Sequence, residues 1–203
     1  MEAIFLARDV ALIPYSAERL LSSVDSRNRD RDYCILCIFL NCGLRISEIV
    51  GLNLSDIRVD HLRVVGKGNK ERIVYLNDAT AAAINSYLLV RKNEKAIDRS
   101  ALFLSNRKTR ISREAVHNMV KKSLLRAGLD ASKYSAHKLR HTAATLMLQN
   151  GVDVRTLQEL LGHEHLNTTQ IYTHVDSSAL RVAASANPLG HFDPSKRSGA
   201  EEK

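Results

Sequence analysis

The most hydrophobic stretch of the chain is Cys34-Ile35-Leu36-Cys37-Ile38-Phe39-Leu40, an unbroken apolar run. A run this short reads as a buried helix, since a membrane span needs ~18 or more such positions. The helix is expected from about Asp32 to Cys42, with Gly43 at the left-handed position that ends it. Upstream, Ser16 reads as the N-cap of a first helix to about Val24, with Leu20 and Leu21 inward. Downstream, Ser47 to Gly51 is a short helical turn. Leu62-Arg63-Val64-Val65 and Arg72-Ile73-Val74-Tyr75 alternate like strands, and Gly66-Lys67-Gly68-Asn69 between them is a hairpin signal. Asn77 or Asp78 caps a long helix to about Lys95, and Ala101 to Leu104 is short and extended. Ser112 caps a helix that Gly128 ends, and a further helix runs from about Ala136 to Asn150. Asp153 caps another that stops at Gly162, followed by short helices over Thr168–Val175 and Ser177–Ala186. The pattern predicts an α+β fold that is mainly α, with one small β-hairpin.

Residues 1–187 are expected to form one domain. The segment 188–203, with Pro188, Pro194, Gly199 and scattered charges, is expected to be a disordered tail. At 203 residues and 44% hydrophobic, the chain has enough apolar material for a real core. The N-terminus opens Met1-Glu2-Ala3 without a basic segment and does not resemble a secretion signal. Three cysteines, Cys34, Cys37 and Cys42, make no disulfide framework, and their apolar neighbours favour buried thiols over a metal site. A reduced, cytoplasmic protein with no membrane association is expected. Thirty Lys and Arg against 22 Asp and Glu give a net charge of +8, a weak pointer to a polyanionic partner.

Four stretches carry polar residues that packing alone does not call for. In Gly43-Leu44-Arg45-Ile46-Ser47-Glu48, the carboxylate can hold the arginine in one pose, although a plain surface ion pair fits as well. At Gly66-Lys67-Gly68-Asn69-Lys70, glycines admit close approach of a phosphate, although an ordinary basic turn is equally consistent. In His137-Lys138-Leu139-Arg140-His141, His137 and Arg140 are i, i+3 near a helix N-terminus. Cations are disfavoured there unless an anion arrives, so this cluster points to an anion site. The fourth stretch is Leu161-Gly162-His163 followed by Thr168-Thr169-Gln170-Ile171-Tyr172-Thr173-His174.

In the order Arg45, Lys67, His137-x-x-Arg140, Gly162-His163, Tyr172, the chain resembles the tyrosine recombinase (phage integrase) family, nearest to its Xer-type members. The resemblance reaches to about Asn187 and implies a helical catalytic domain that cuts and rejoins DNA site-specifically through a 3′-phosphotyrosyl intermediate and a Holliday junction. It implies Tyr172 as nucleophile, with Arg45 and Arg140 on the non-bridging oxygens and His137 handling the proton. Lys67 would protonate the departing 5′ oxygen, His163 would hydrogen-bond the phosphate or position the tyrosine, and Glu48 would brace Arg45. No cofactor or metal is expected, because the motifs offer cations and a single carboxylate rather than clustered acids. Lys70, Arg107, Lys108, Arg110, Arg113, Lys121 and Lys122 are candidates for lining the DNA path. Double-stranded DNA is the implied partner, with a homotetramer forming on it by exchange of the C-terminal helix and mostly monomer without it. The separate N-terminal DNA-clamping domain usual in the family is expected to be absent. Rival readings are a type IB topoisomerase-like relaxase, a catalytically silent DNA-binding regulator, and a metal-dependent phosphodiesterase. A housekeeping Xer role and a mobile-element role are not separable on these residues.

Overall fold

The computed structural model describes residues 11–162 and 177–194. Its helices are α1 (Pro14–Ser22), α2 (Arg29–Cys37), α3 (Ile46–Gly51), α4 (Asp78–Lys92), α5 (Arg113–Arg126), α6 (Ala136–Gln149), α7 (Val154–Leu161) and α8 (Ser177–Ser185). Strands β1 (His61–Val65) and β2 (Glu71–Tyr75) form one antiparallel hairpin. The architecture is the mainly helical α+β fold that the hydrophobic pattern predicts.

α2 is the centre of the molecule. It runs directly into a π-helical turn, Ile38–Cys42, and every side chain from Cys34 to Cys42 is buried. A helix apolar on all sides must be surrounded; α4 packs along α2, and α6 packs on the π-helical turn. The three cysteines are thiols within this core, and burial raises Cys37 and Cys42 to about 12. Several caps form where polar residues precede the helices: Asn77, Ser112 and Asp153 each accept backbone N–H groups from the first turn of α4, α5 and α7. The first helix departs from expectation. It begins at Pro14 behind Ile13, because a proline suits the first helical position and lacks only an N–H that would be unpaired there.

The hairpin pairs Leu62 with Val74 and Val64 with Arg72, and turns Leu62, Val64 and Val74 into the core. Two strands alone are marginal in water, and here α3 and α8 pack against them. α8 lies on β2 and α7, burying Ala183 and Ala184. Its Arg181 stacks 4.3 Å above the Tyr75 ring and pairs with Asp60 at 2.5 Å.

The expected tail from Pro188 is not disordered through its first residues. Pro188–His191 form a short 3-10 turn, Leu189 is fully buried, and Asn187 donates to the Leu40 carbonyl in the π-helical turn at 2.8 Å. Asn77 donates to both Asn41 and the Ala184 carbonyl. An isolated leucine and asparagine among prolines and charges carry no periodic signal, so only their tertiary partners reveal them. Among the described residues no helix is long and apolar enough to cross a membrane.

Gly43 is in the left-handed region at φ 61°, and a Cβ there would meet Leu161 Cδ2 at 2.7 Å. Gly43→Ala is therefore expected to lose about 2–4 kcal/mol, from the left-handed penalty and the overpacking together. Urea unfolding followed by far-UV circular dichroism measures this; the chain has no tryptophan for a fluorescence signal.

Candidate active site

Three guanidinium groups converge on one carboxylate. Glu48, in the first turn of α3, has 2% of its side chain exposed. Its oxygens accept from the Arg45 backbone N–H at 2.7 Å and from Arg45 Nη1 at 3.1 Å. They also take a two-pronged contact from Arg72, at 2.8 and 3.0 Å. Arg140 Nη1 stands 3.9 Å away. Burial pushes the Glu48 carboxyl upward; the hydrogen bonds and charge of Arg72, the Arg45 N–H and the charge of Arg140 outweigh it and hold the group below its ordinary 4.5.

The same three arginines close the end of α7. Arg72 Nε donates to the Leu160 carbonyl at 3.1 Å, Arg140 Nη2 to Leu161 at 2.8 Å, and Arg45 Nη2 to Gly162 at 3.3 Å. These are the carbonyls a helix leaves unpaired, at its negative end. Gly162 is left-handed at φ 66°, and a Cβ there would press within 3.1 Å of Arg72 Nη1. Arg140 also donates to the Gly43 carbonyl and so holds the turn that precedes Arg45.

The environments of the two predicted phosphate ligands differ. Arg140 has 8% of its side chain exposed and Arg45 has 40%. Burial and the neighbouring Arg45 charge lower Arg140 to about 10, leaving it a cation at neutral pH. Three cations around one carboxylate leave positive charge uncompensated at a partly open surface. His137 is exposed in the first turn of α6 and lies 2.8 Å, nitrogen to nitrogen, from His141 one turn on.

The structure thus brings Arg45, Glu48 and Arg140 together. It adds Arg72, which the sequence reading missed. The signal was present: on a strand alternating in and out, Arg72 shares the inward face with Val74 and pairs with Val64, a core position in which an arginine must have a buried partner. Lys67 and Lys70 are at the hairpin tip, where Gly68 and Asn69 turn the chain through left-handed conformations at φ 71° and 60°. The Lys67 side chain, His163, Tyr172 and the expected helix over 168–175 lie outside the described residues.

Among the basic candidates, Arg113, Lys121 and Lys122 are exposed on α5, and Arg107 is exposed in the preceding loop. Arg110 does not line an open path. Its guanidinium donates to the carbonyls of Val50 and Leu52, to Asn53 and Ser100, and pairs with Asp98, so its donors are used in joining loops. Lys108 is paired with Glu94. Sequence alone lists their charge but not these partners.

Replacing Glu48 with Gln should cost about 3–5 kcal/mol at neutral pH, since it leaves buried cations uncompensated. The folded-state value of Glu48 is depressed, so its contribution is complete above the ordinary value and is lost as pH falls through the folded one. The acid-unfolding limb of Glu48→Gln, followed by circular dichroism below about pH 4.5, should therefore be flatter than that of the parent.

The phage integrase family model matches residues 12–179. The tyrosine recombinase XerC of Caldanaerobacter subterraneus subsp. tengcongensis is 58% identical over 174 residues, covering 85% of this chain and 49% of that protein. The tyrosine recombinase XerD of Proteus mirabilis is 42% identical over 171 residues, covering 81% and 55%. The crystal structure of XerA recombinase has a TM-score of 0.71 at 36% identity over 85% of this chain and 63% of that one. A pre-cleavage complex of XerH site-specific recombinase bound to difH substrate has a TM-score of 0.69 at 30% identity over 87% of this chain and 54% of that one. The chain spans about half the length of the curated relatives it matches. With a family model matching residues 12–179 and a relative 58% identical, the chain belongs to the phage integrase family.

Proposed function

We propose that this chain carries the strand-cleaving centre of a site-specific tyrosine recombinase acting on double-stranded DNA. The observation that carries this reading is the excess of positive charge where Arg45, Arg72 and Arg140 meet Glu48 at the end of α7. Attack on a phosphodiester builds charge on the non-bridging oxygens, and forked guanidinium donors held in place beforehand stabilise that charge without reorganising. Arg140 spends two of its donors on carbonyls and Arg45 two on Glu48 and Gly162, which fixes both groups in orientation before the substrate arrives. Glu48 and Arg72 position them.

In this reading Tyr172 attacks phosphorus and displaces the 5′ oxygen, which leaves with a proton from Lys67. His137 manages the phenol proton, and His163 contacts the phosphate. The covalent phosphotyrosine keeps the bond energy for rejoining, by a second displacement in reverse. Arg107, Arg113, Lys121 and Lys122 contribute phosphate contacts and salt-sensitive affinity. No metal takes part. Assembly is a homotetramer on DNA in which α8 and the segment after it leave their own domain for a neighbour's, with a monomer predominating off DNA.

The test is trapping on nicked duplex DNA drawn from the gene's own flanks. A covalent adduct should form in the presence of EDTA and vanish in Tyr172→Phe with DNA binding retained; an adduct that persists in that variant refutes the assignment. Arg45→Ala should slow adduct formation by about 10²–10³-fold. Arg45→Lys should also fail, because a point charge does not reproduce the fork. The cis clamp of α8 gives a separate test of assembly. Arg181→Ala removes the contacts to Asp60 and Tyr75 without touching the core, and should raise the tetramer fraction on DNA in sedimentation experiments.

A further inference from the structure

The cleavage scheme above uses His137 but gives no part to His141, which is paired with it. Their Nε2 atoms are 2.8 Å apart, with ring centroids at 4.5 Å and planes at 83°. At that separation one proton lies between the two nitrogens: two lone pairs would repel, and so would two N–H groups. The rings are unequal. His137 is exposed, whereas His141 is half-buried on the next turn of the same helix. Burial, the His137 ring and the charges of Lys138 and Arg140 all push the proton affinity of His141 down.

We propose that His141 is a positioning residue for His137: it remains neutral, accepts the Nε2–H of His137, and so holds the His137 ring with Nδ1 as the nitrogen presented to the scissile phosphate. The role of His137 in this rests on the strand-cleavage reading; the state of the pair does not. A proton taken from the Tyr172 phenol then goes to the free Nδ1 lone pair of His137, next to the α6 N-terminus where a lone cation is disfavoured and a cation beside a phosphate is not. His137 then carries N–H groups at both nitrogens, one on His141 and one for the phosphate. His141 must offer its Nε2 lone pair to this cation, which places its own proton on Nδ1. An acceptor one helical turn away thus sets both the tautomer and the ring angle of the proton-handling residue, as hydrogen-bonded partners do for other working histidines.

The arrangement is measurable without DNA. Proton–nitrogen correlation spectra of the chain labelled at its histidine nitrogens report the tautomer of each ring, with His137 assigned through His137→Gln. The expected result is a single neutral His137 tautomer protonated at Nε2, becoming a mixture in His141→Phe. His141→Gln should restore it, because the amide oxygen reaches about as far as Nε2; His141→Asn, a bond shorter, should not. On DNA that traps the parent chain, His141→Phe should slow adduct formation about 10-fold or more at unchanged DNA affinity, within the range general acid–base groups supply, and His141→Gln should recover most of it. A His137 tautomer unaffected by His141→Phe, or protonated at Nδ1 in the parent, overturns the proposal. So does a tautomer change with no change in cleavage. A parent chain that forms no adduct on any flanking DNA counts against the recombinase reading, and the spectra then decide the histidine pair by themselves.

Discussion

The buried carboxylate of Glu48 is the point on which the rest of the site depends. An ionised group with 2% exposure is tolerable only if nearly every lone pair is used, and here two arginine side chains and a backbone N–H use them. The consequence is architectural as well as electrostatic. Arg45 begins α3, Arg72 belongs to β2 and Arg140 to α6, so one carboxylate draws together three elements far apart in sequence. The end of α7 completes the enclosure, because its last carbonyls accept from the same guanidinium groups. Helix terminus and carboxylate solve each other's problem: one needs donors, the other needs cations, and arginine provides both.

This arrangement also leaves the cluster with a net positive field. A fully neutralised arginine would be a strut. Here the carboxylate balances part of the charge, enough to keep the guanidinium groups in place and too little to cancel their field. Arg140 is lowered to about 10 by burial and by the charge of Arg45, a sign that the fold holds these cations close together.

Around this cluster the fold fixes the two ends of the segment that bears Tyr172. Upstream, α7 is pinned by the arginines at Leu160 to Gly162. Downstream, α8 is clamped to the hairpin by Arg181, and Asn187 anchors the following turn on the Leu40 carbonyl. That carbonyl belongs to the π-helical turn leading through Gly43 to Arg45, so the packing of the C-terminal residues and the placement of Arg45 share one piece of backbone.

Local signals made much of this legible in the sequence. Asn77, Ser112 and Asp153 cap helices because a side-chain oxygen can reach an N–H two or three residues on, whatever surrounds it. Gly43 and Gly162 end helices in left-handed conformations for similarly local reasons. The unbroken apolar run from Cys34 to Leu40 could only be a core helix, and the order of the motifs from Arg45 to Tyr172 pointed to the family. Partnership was not legible. Arg72 and Arg110 are both arginines among charged neighbours, yet one meets a buried carboxylate and the other ties loops together. The burial of Leu189 and Asn187 depends on α1, α4 and the π-helical turn, all distant in sequence, coming together around them. A capping box or a helix stop is decided within one turn of chain and is written in the sequence. Which cation compensates which buried charge is decided by desolvation, and a charge is desolvated only once the distant elements have packed around it.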